Sequence, residues 1–438
     1  MKTFQLLPLS GALALALASG ANAQSLLDLY EAAKGFDASF QSAKLQLDAS
    51  LAKADQAVAG TLPTANLGMS ANLVNLNNNP GTNRNYNNFG ATLSASKPLY
   101  RPANIATAAQ GKLQADLAKV QFSTAEQDLM LRVSQAYFEA LAAHDALTFV
   151  KAQKEAVSQQ LASAKRNFEV GTATITDTRE AQARFDLTLA QEIAANNDLA
   201  VKTLVLSQLT GKTNAKPNPL ATAVNIKPVE PADMQAWVTK AEGKHPSVAQ
   251  AQLGLELAQL ETRKAQAGEK PTVDLVGSFG LTQNNGTSSG STHYLNNTAS
   301  IGVSFNMPLY TGNLVQNKIK ETLALEDKAR NDLELARRTV GQATRSAFLG
   351  VQSGLGQVNA LQAAETSGQS ALDATKLGYQ VGVRINIDVL NAQTALYDTK
   401  NKLAKARYDV LLGGLKLRQA SGQLSVDDLK SVTLLLAK

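Results

Sequence analysis

An internal duplication constrains this chain more than any other feature of its sequence. Pro98-Leu99-Tyr100 returns as Pro308-Leu309-Tyr310, 210 residues later. Phe168-Glu169-Val170-Gly171 returns as Tyr379-Gln380-Val381-Gly382 at a shift of 211. Asp177 and Ala181-Gln182 match Asp388 and Ala392-Gln393 at the same shift, as Thr210-Gly211 matches Ser421-Gly422, and Pro63-Thr64 matches Pro271-Thr272 at 208. Ordered matches at a nearly constant offset mark two copies of one unit, so whatever the first half folds into, the second repeats.

Each copy carries the same succession of patterns. The copies cover residues 24–222 and 223–422, followed by a tail over 423–438. A helix opens each one, over 26–59 and again over about 233–268. Pro63 and Pro271 stop those helices and begin segments of alternating character. Strands are predicted at about 63–77 and 86–98 in the first copy, and at about 271–283 and 293–308 in the second. The last of these sets Leu295, Ala299, Ile301, Val303 and Phe305 against Thr298, Ser300, Gly302 and Ser304. The first sets Leu67, Met69, Ala71 and Leu73 against Asn66, Gly68, Ser70 and Asn72. Period-two alternation gives each strand one apolar face and one small, polar face. The loops between them, Asn77 to Gly81 and Asn284 to Gly290, are Asn, Gly and Ser rich.

Very long helices follow, over 103–169 and 314–380, and return helices over 176–209 and 387–420. A continuous helix of that length would reach roughly 100 Å at 1.5 Å per residue. Along the first, Val133, Ala136, Ala140, Ala143, Leu147, Val150, Val157, Leu161, Ala164 and Phe168 recur at spacings of three, four and seven. That is a coiled-coil seam. Aromatic residues make up only 5% of the chain, with Trp237 the sole tryptophan. Helices meeting through Ala need partners on more than one side.

The amino terminus names a compartment. Lys2 precedes an apolar stretch from Leu6 to Ala18, and Ala21-Asn22-Ala23 supplies a small-x-small cleavage site. Residues 1–23 read as a secretory signal peptide, with the mature chain starting at Gln24. The run is shorter than the ~20 apolar residues of a spanning helix, and no later stretch is long enough. An exported chain of this kind enters a membrane only as strands. Four strands could be half of a soluble sandwich. They cannot close a transmembrane barrel alone, because an open edge in lipid leaves backbone groups unpaired. A barrel would have to be shared between chains, with outer-membrane strand counts generally even and at least about 8.

No cysteine is present, which excludes disulfides, thiolate metal sites and acylated cysteine anchors. The three histidines, His144, His245 and His293, have no second ligand at metal spacing. Gly211-Lys212-Thr213 lacks the glycine five positions upstream that a phosphate-binding loop needs, since Leu206 stands there. Gly354-Leu355-Gly356 lies inside a helical pattern with no strand before it. No catalytic constellation, cofactor site or metal site can be named. The net charge of +6 is spread along the chain without the basic run of a nucleic-acid arm.

The whole mature chain resembles the TolC-type outer-membrane efflux proteins. The motifs that carry the likeness are the two Pro-Leu-Tyr junctions, Val170-Gly171 and Val381-Gly382 at the helical turns, and the run from Tyr379 through Asp388-Val389-Leu390 to Ala406-Arg407-Tyr408. The resemblance implies a mixed α and β membrane protein: a homotrimer whose chains give four strands each to a twelve-stranded barrel in the outer membrane of a Gram-negative bacterium. An α-helical coiled-coil barrel would continue it into the periplasm, with residues 211–240 and the tail after Gly422 around its waist. It further implies a passive exit duct for drugs, small molecules or type I secreted proteins. Its partners would be a periplasmic adaptor and an inner-membrane pump of the RND or ABC type. Two other readings stay open on the residues alone, a periplasmic coiled-coil adaptor and a structural surface protein. Neither calls for four alternating strands.

The likeness also implies site residues, position by position. Asp177 and Tyr379 match a pair that ties neighbouring helices at the closed tip, and Thr176 and Arg384 match a second tie with Arg384 donating. Val170, Gly171, Val381 and Gly382 match the turns that meet the adaptor. Asp388 matches the first of two aspartates spaced three apart that ring the pore constriction. Asn391 stands where the second aspartate is expected, so one ring would be a neutral amide.

Overall fold

In the computed structural model the described residues are 24–77, 83–213, 215–221, 228–286 and 293–436. Residues 1–23, predicted to be a signal peptide, and most of both inter-strand loops lie outside them. The elements run α1 (Leu26–Phe36), α2 (Ala38–Ala59), β1 (Thr64–Leu76), β2 (Arg84–Tyr100), α3 (Pro102–Glu169) and α4 (Ile175–Thr210). The second copy gives α5 (Met234–Lys244), α6 (Pro246–Gln266), β3 (Thr272–Asn285), β4 (His293–Asn306), α7 (Leu314–Gln380), α8 (Asn386–Ala420) and then α9 (Val426–Thr433). Among the described residues no helix is long and apolar enough to cross a membrane.

Both opening helices are broken where the sequence pattern ran on. Asp37 leaves the helical region at φ −63° and ψ 114°, and its carboxylate accepts from the Phe40 amide at 2.7 Å, so it caps α2. His245 is extended at ψ 133° because a residue before proline is driven out of the α region, and Pro246 starts α6.

The chain divides into two compact units. One comprises Met1–Ser42, Thr124–His245 and Thr339–Lys438, the other Ala43–Ser123 and Pro246–Arg338. The second unit holds the sheet. Its four strands pair antiparallel in the order β1-β2-β3-β4. Register decides its faces. Leu67 sits opposite Leu93, Leu93 opposite Phe279 and Phe279 opposite Ala299, so these residues and most other apolar ones of the four strands share one side. Asn66, Ser94, Ser278 and Ser300 form a row on the other side, where the Ser278 and Ser300 hydroxyls lie 2.8 Å apart. That polar side curves around a shallow hollow lined by Asn66, Ser94, Ser96, Val276, Ser278 and Ser300. The apolar side is open, with Leu73 86% and Ile301 83% exposed. At the foot of the sheet Arg101 reaches Asp274 through both oxygens, at 2.7 and 2.5 Å, just past the irregularity between Pro98 and Tyr100.

The first unit is a helical assembly. Val133, Ala136, Ala140, Ala143, Leu147, Val157, Leu161 and Ala164 are buried, whereas Val150 is half-buried and Phe168 exposed. The seam therefore ends one turn before α3 does. Three segments distant in sequence meet at α1. Tyr137 donates its hydroxyl to the carbonyls of Gln24 and Asn218 at 3.3 and 3.0 Å, Gln24 bridges to Pro217, and Leu220 bridges to Leu436. The helix α1 packs on α4 and α9. Nearby, Tyr408 stacks on Phe138 at 5.9 Å and donates to Asp145 at 2.6 Å, and burial raises its hydroxyl pKa.

Candidate functional site

The two turns that join long helix to return helix are built alike, for a reason visible in their glycines. Gly171 and Gly382 adopt φ of +77° and +80°, the left-handed region that L residues with a side chain avoid. With that reversal the Thr172 amide turns back onto the Asn167 carbonyl at 2.8 Å, and the Val383 amide onto the Gly378 carbonyl at 2.9 Å. Both are Schellman closures of a helix end. An added Cβ would meet nothing within 4 Å at either glycine, so the constraint is conformational and space around both is open. The flanking residues are apolar and bare, with Val170 73% and Val381 66% exposed, and Val383 and Ile385 likewise outward.

The return helices start on carboxylates at the third position. Asp177 accepts from the Thr174 amide at 2.9 Å and hydroxyl at 2.7 Å, while Thr174 accepts from the Asp177 amide, closing a capping box. In the second copy Ile385 has no side-chain acceptor, and Asp388 reaches back alone to the Ile385 amide at 3.5 Å. Arg384 lies 3.7 Å from the Asp388 carboxylate, and both side chains face solvent in part.

Near the turns, four hydrogen bonds among the described residues link the two hairpins. Asn167 donates to the Tyr379 hydroxyl at 3.2 Å. Asn386, almost wholly buried, donates to the Asp177 carbonyl at 3.2 Å and accepts from Gln160. Arg184 donates to the Asn391 side-chain oxygen at 3.0 Å. Beneath them Val157, Leu161, Ala164, Ala181 and Leu390 form one apolar cluster, and Leu372, Val389 and Leu396 another.

Each expected site residue can thus be placed. Tyr379 is engaged by Asn167, and the Asp177 carboxylate by its own cap; within one chain no described hydrogen bond joins them. Thr176 is exposed on the first turn of α4, and Arg384 lies beside Asp388. Asp388 and Asn391 share one face of α8, and Asn391 is exposed. Asn167, Asn386, Gln160 and Arg184 were missed by the sequence reading. Asn386 carried a signal: it is polar where the first copy has Ile175, 211 residues earlier.

A mostly helical chain with a four-stranded sheet, largely apolar on one side and polar on the other, matches the fold of outer-membrane channel proteins. The family model for "Outer membrane efflux protein" matches residues 29–212 and 237–423. The chain is 33% identical to the outer membrane protein TolC of Escherichia coli strain K12, over 99% of this chain and 90% of that one. It is 31% identical to the alkaline protease secretion protein AprF of Pseudomonas aeruginosa, over 97% of this chain and 90% of AprF. In fold it superposes on the Campylobacter jejuni CmeC outer membrane channel with a TM-score of 0.78 and 16% identity, covering 96% of this chain and 95% of that one. The protein belongs to the outer membrane efflux protein family.

Proposed function

We propose that the protein is the passive exit duct of an efflux or secretion machine, seated in the outer membrane of a Gram-negative bacterium and reaching into the periplasm. One observation carries this reading: a four-stranded sheet with a bare apolar face, a polar hollow on the other, and edge strands β1 and β4 whose outer sides are unpaired among the described residues. Apolar surface on this scale needs lipid, and unpaired edges need another copy. Three copies make a twelve-stranded barrel with the Asn, Ser, Thr and Gly rows lining its lumen. Energy comes from an inner-membrane pump of the RND or ABC type, reached through a periplasmic adaptor. The duct performs no chemistry of its own.

The tip closes and docks on this reading. Thr176, Asp177, Tyr379 and Arg384 hold the helices of the closed state together. Asp388 and Asn391 line the constriction. The open space at Gly171 and Gly382, beside bare Val170 and Val381, supports their use as a landing site for the adaptor's helical hairpin. Residues 211–240 and the tail after Gly422 surround the duct at its waist, and residues 1–23 are removed on export. Cell fractionation tests the reading. The protein should pellet with the outer membrane, migrate as a heat-sensitive trimer, and be required for drug resistance or exoprotein release. A soluble periplasmic monomer would refute it.

A further inference from the structure

The return helix α8 is packed on two of its sides. Leu390 enters the cluster formed with α3 and α4, and Val389 enters the one formed with α7. The face left over carries Asp388 and Asn391. Onto it comes a group from the other copy: Arg184, one turn past buried Ala181 on α4, with its Nη2 donating to the Asn391 Oδ1 at 3.0 Å. The amide oxygen meets one of the five guanidinium N–H donors and cancels none of the charge. The neighbouring carboxylate of Asp388 already faces Arg384 at 3.7 Å. The described contacts at this face thus bring together the Asp388 carboxylate and the Arg184 and Arg384 guanidiniums.

We propose that Arg184 is a specificity-determining residue of the duct, held by Asn391 so that its guanidinium sits at the constriction and gives it a mixed, net cationic ring that binds multivalent oxyanion groups. This rests on the reading of Asp388 and Asn391 as constriction residues. Guanidinium donors in a planar fork match phosphate, sulfate and carboxylate oxygens, and a cationic ring disfavours a multivalent cation at the same place. Asn391 is then more than a missing acid. Its neutrality keeps the Arg184 charge uncompensated, whereas an aspartate there would pair with the guanidinium and silence both.

That difference sets the experiment. The purified trimer is placed in a planar bilayer, and three quantities are read: reversal potential in a salt gradient, block by hexaamminecobalt(III), and block by pyrophosphate. Arg184→Gln should shift selectivity toward cations, tighten the cobalt block roughly tenfold for charges about one Debye length from the ion, and abolish the pyrophosphate block. Arg184→Lys, which keeps the charge but not the fork, should keep the parent's reversal potential and cobalt block while weakening the pyrophosphate block. Asn391→Asp alone should act weakly beside the Arg184→Gln/Asn391→Asp pair, which frees the new carboxylate. If Arg184→Gln changes nothing while Asp388→Asn does, Arg184 lies outside the field and the proposal fails with the constriction intact. If neither changes anything, the constriction reading falls and takes the proposal with it.

Discussion

Asp37 combines two duties in one buried carboxylate, and its removal should be among the costliest single changes in the helical unit. Its Oδ1 caps α2 through the Phe40 amide at 2.7 Å, and both oxygens receive Arg132, at 2.9 and 3.1 Å. The residue is 9% exposed, while the Arg132 side chain is only partly covered. An N-cap bond is worth about 1 kcal/mol. Hydrogen bonds to a charged partner contribute about 1.5–3 kcal/mol, discounted here because Arg132 retains contact with water. Asp37→Ala should therefore cost about 3 kcal/mol. Asp37→Asn keeps the cap acceptor and one bond to Arg132, and should cost about half that, roughly 1.5 kcal/mol. Asp128 serves as the control. It meets the same guanidinium at 2.7 Å from an exposed position, so Asp128→Ala should cost about 0.5 kcal/mol or less. Guanidinium unfolding of the detergent-solubilised protein, followed by circular dichroism, measures all three. Equal costs for Asp37→Ala and Asp128→Ala would refute the assignment. The pH dependence has a definite sign. Hydrogen bonds from Arg132 outweigh burial and hold the Asp37 carboxyl below its ordinary range. Its contribution is fully present above about pH 4, the unfolded value, and is lost as pH falls through the depressed folded value. Acid should therefore narrow the gap between parent and Asp37→Asn.

Three further outcomes follow from the sheet and the tip. Tyr379→Phe with Arg384→Ser removes one neutral tie and one exposed cation, each worth on the order of 1 kcal/mol or less; single-channel conductance should rise more in the pair than in either single variant, and an unchanged pair would count against the gate. Gly171→Leu with Gly382→Leu should abolish export, scored as drug susceptibility or missing exoprotein, while trimers still assemble. Alanine at both glycines shares the positive-φ cost of roughly 1–2 kcal/mol each without the bulk, so export surviving in the alanine pair but not the leucine pair separates docking from strain. Ile301→Arg, on the bare apolar face, should cost about 2–4 kcal/mol near the bilayer midplane and reduce trimer yield in outer-membrane fractions, whereas Thr298→Arg on the polar face should leave yield near normal.

The strands were legible because each carries two different faces at a period of two, and a register slip of one residue would put Ile301 and Val303 on the polar side. The helix breaks were less so. Pro246 bears the signal for the second, in the backbone cost it imposes on His245. Asp37 shows its role only through the Phe40 amide and the Arg132 guanidinium, and the latter lies 95 residues away. The tip contacts were hidden for a related reason. A helical pattern says which residues of α8 share a face, which put Asp388 and Asn391 together. It does not say what another helix brings to that face, and Arg184 is 207 residues distant.

The duplication supplies what the single-helix patterns lack. At the tip the two copies trade polar and apolar positions: Thr172 and Thr174 in the first become Val383 and Ile385 in the second. Phe168, Ala173 and Ile175 in the first become Tyr379, Arg384 and Asn386 in the second, each 211 residues on. The structure gives every one of those added polar groups a partner: Tyr379 takes Asn167, Arg384 faces Asp388, and Asn386 joins Asp177 to Gln160. Apolar contacts such as Leu390 on Ala181 are indifferent to small rotations. Directional bonds between unlike positions of the two copies, Asn167 to Tyr379, Asn386 to Asp177 and Arg184 to Asn391, fix which side of α8 turns toward α4, and therefore where the Asp388 and Asn391 face is left open. Divergence between the repeats, more than the repeat itself, orients the face that carries Asp388 and Asn391.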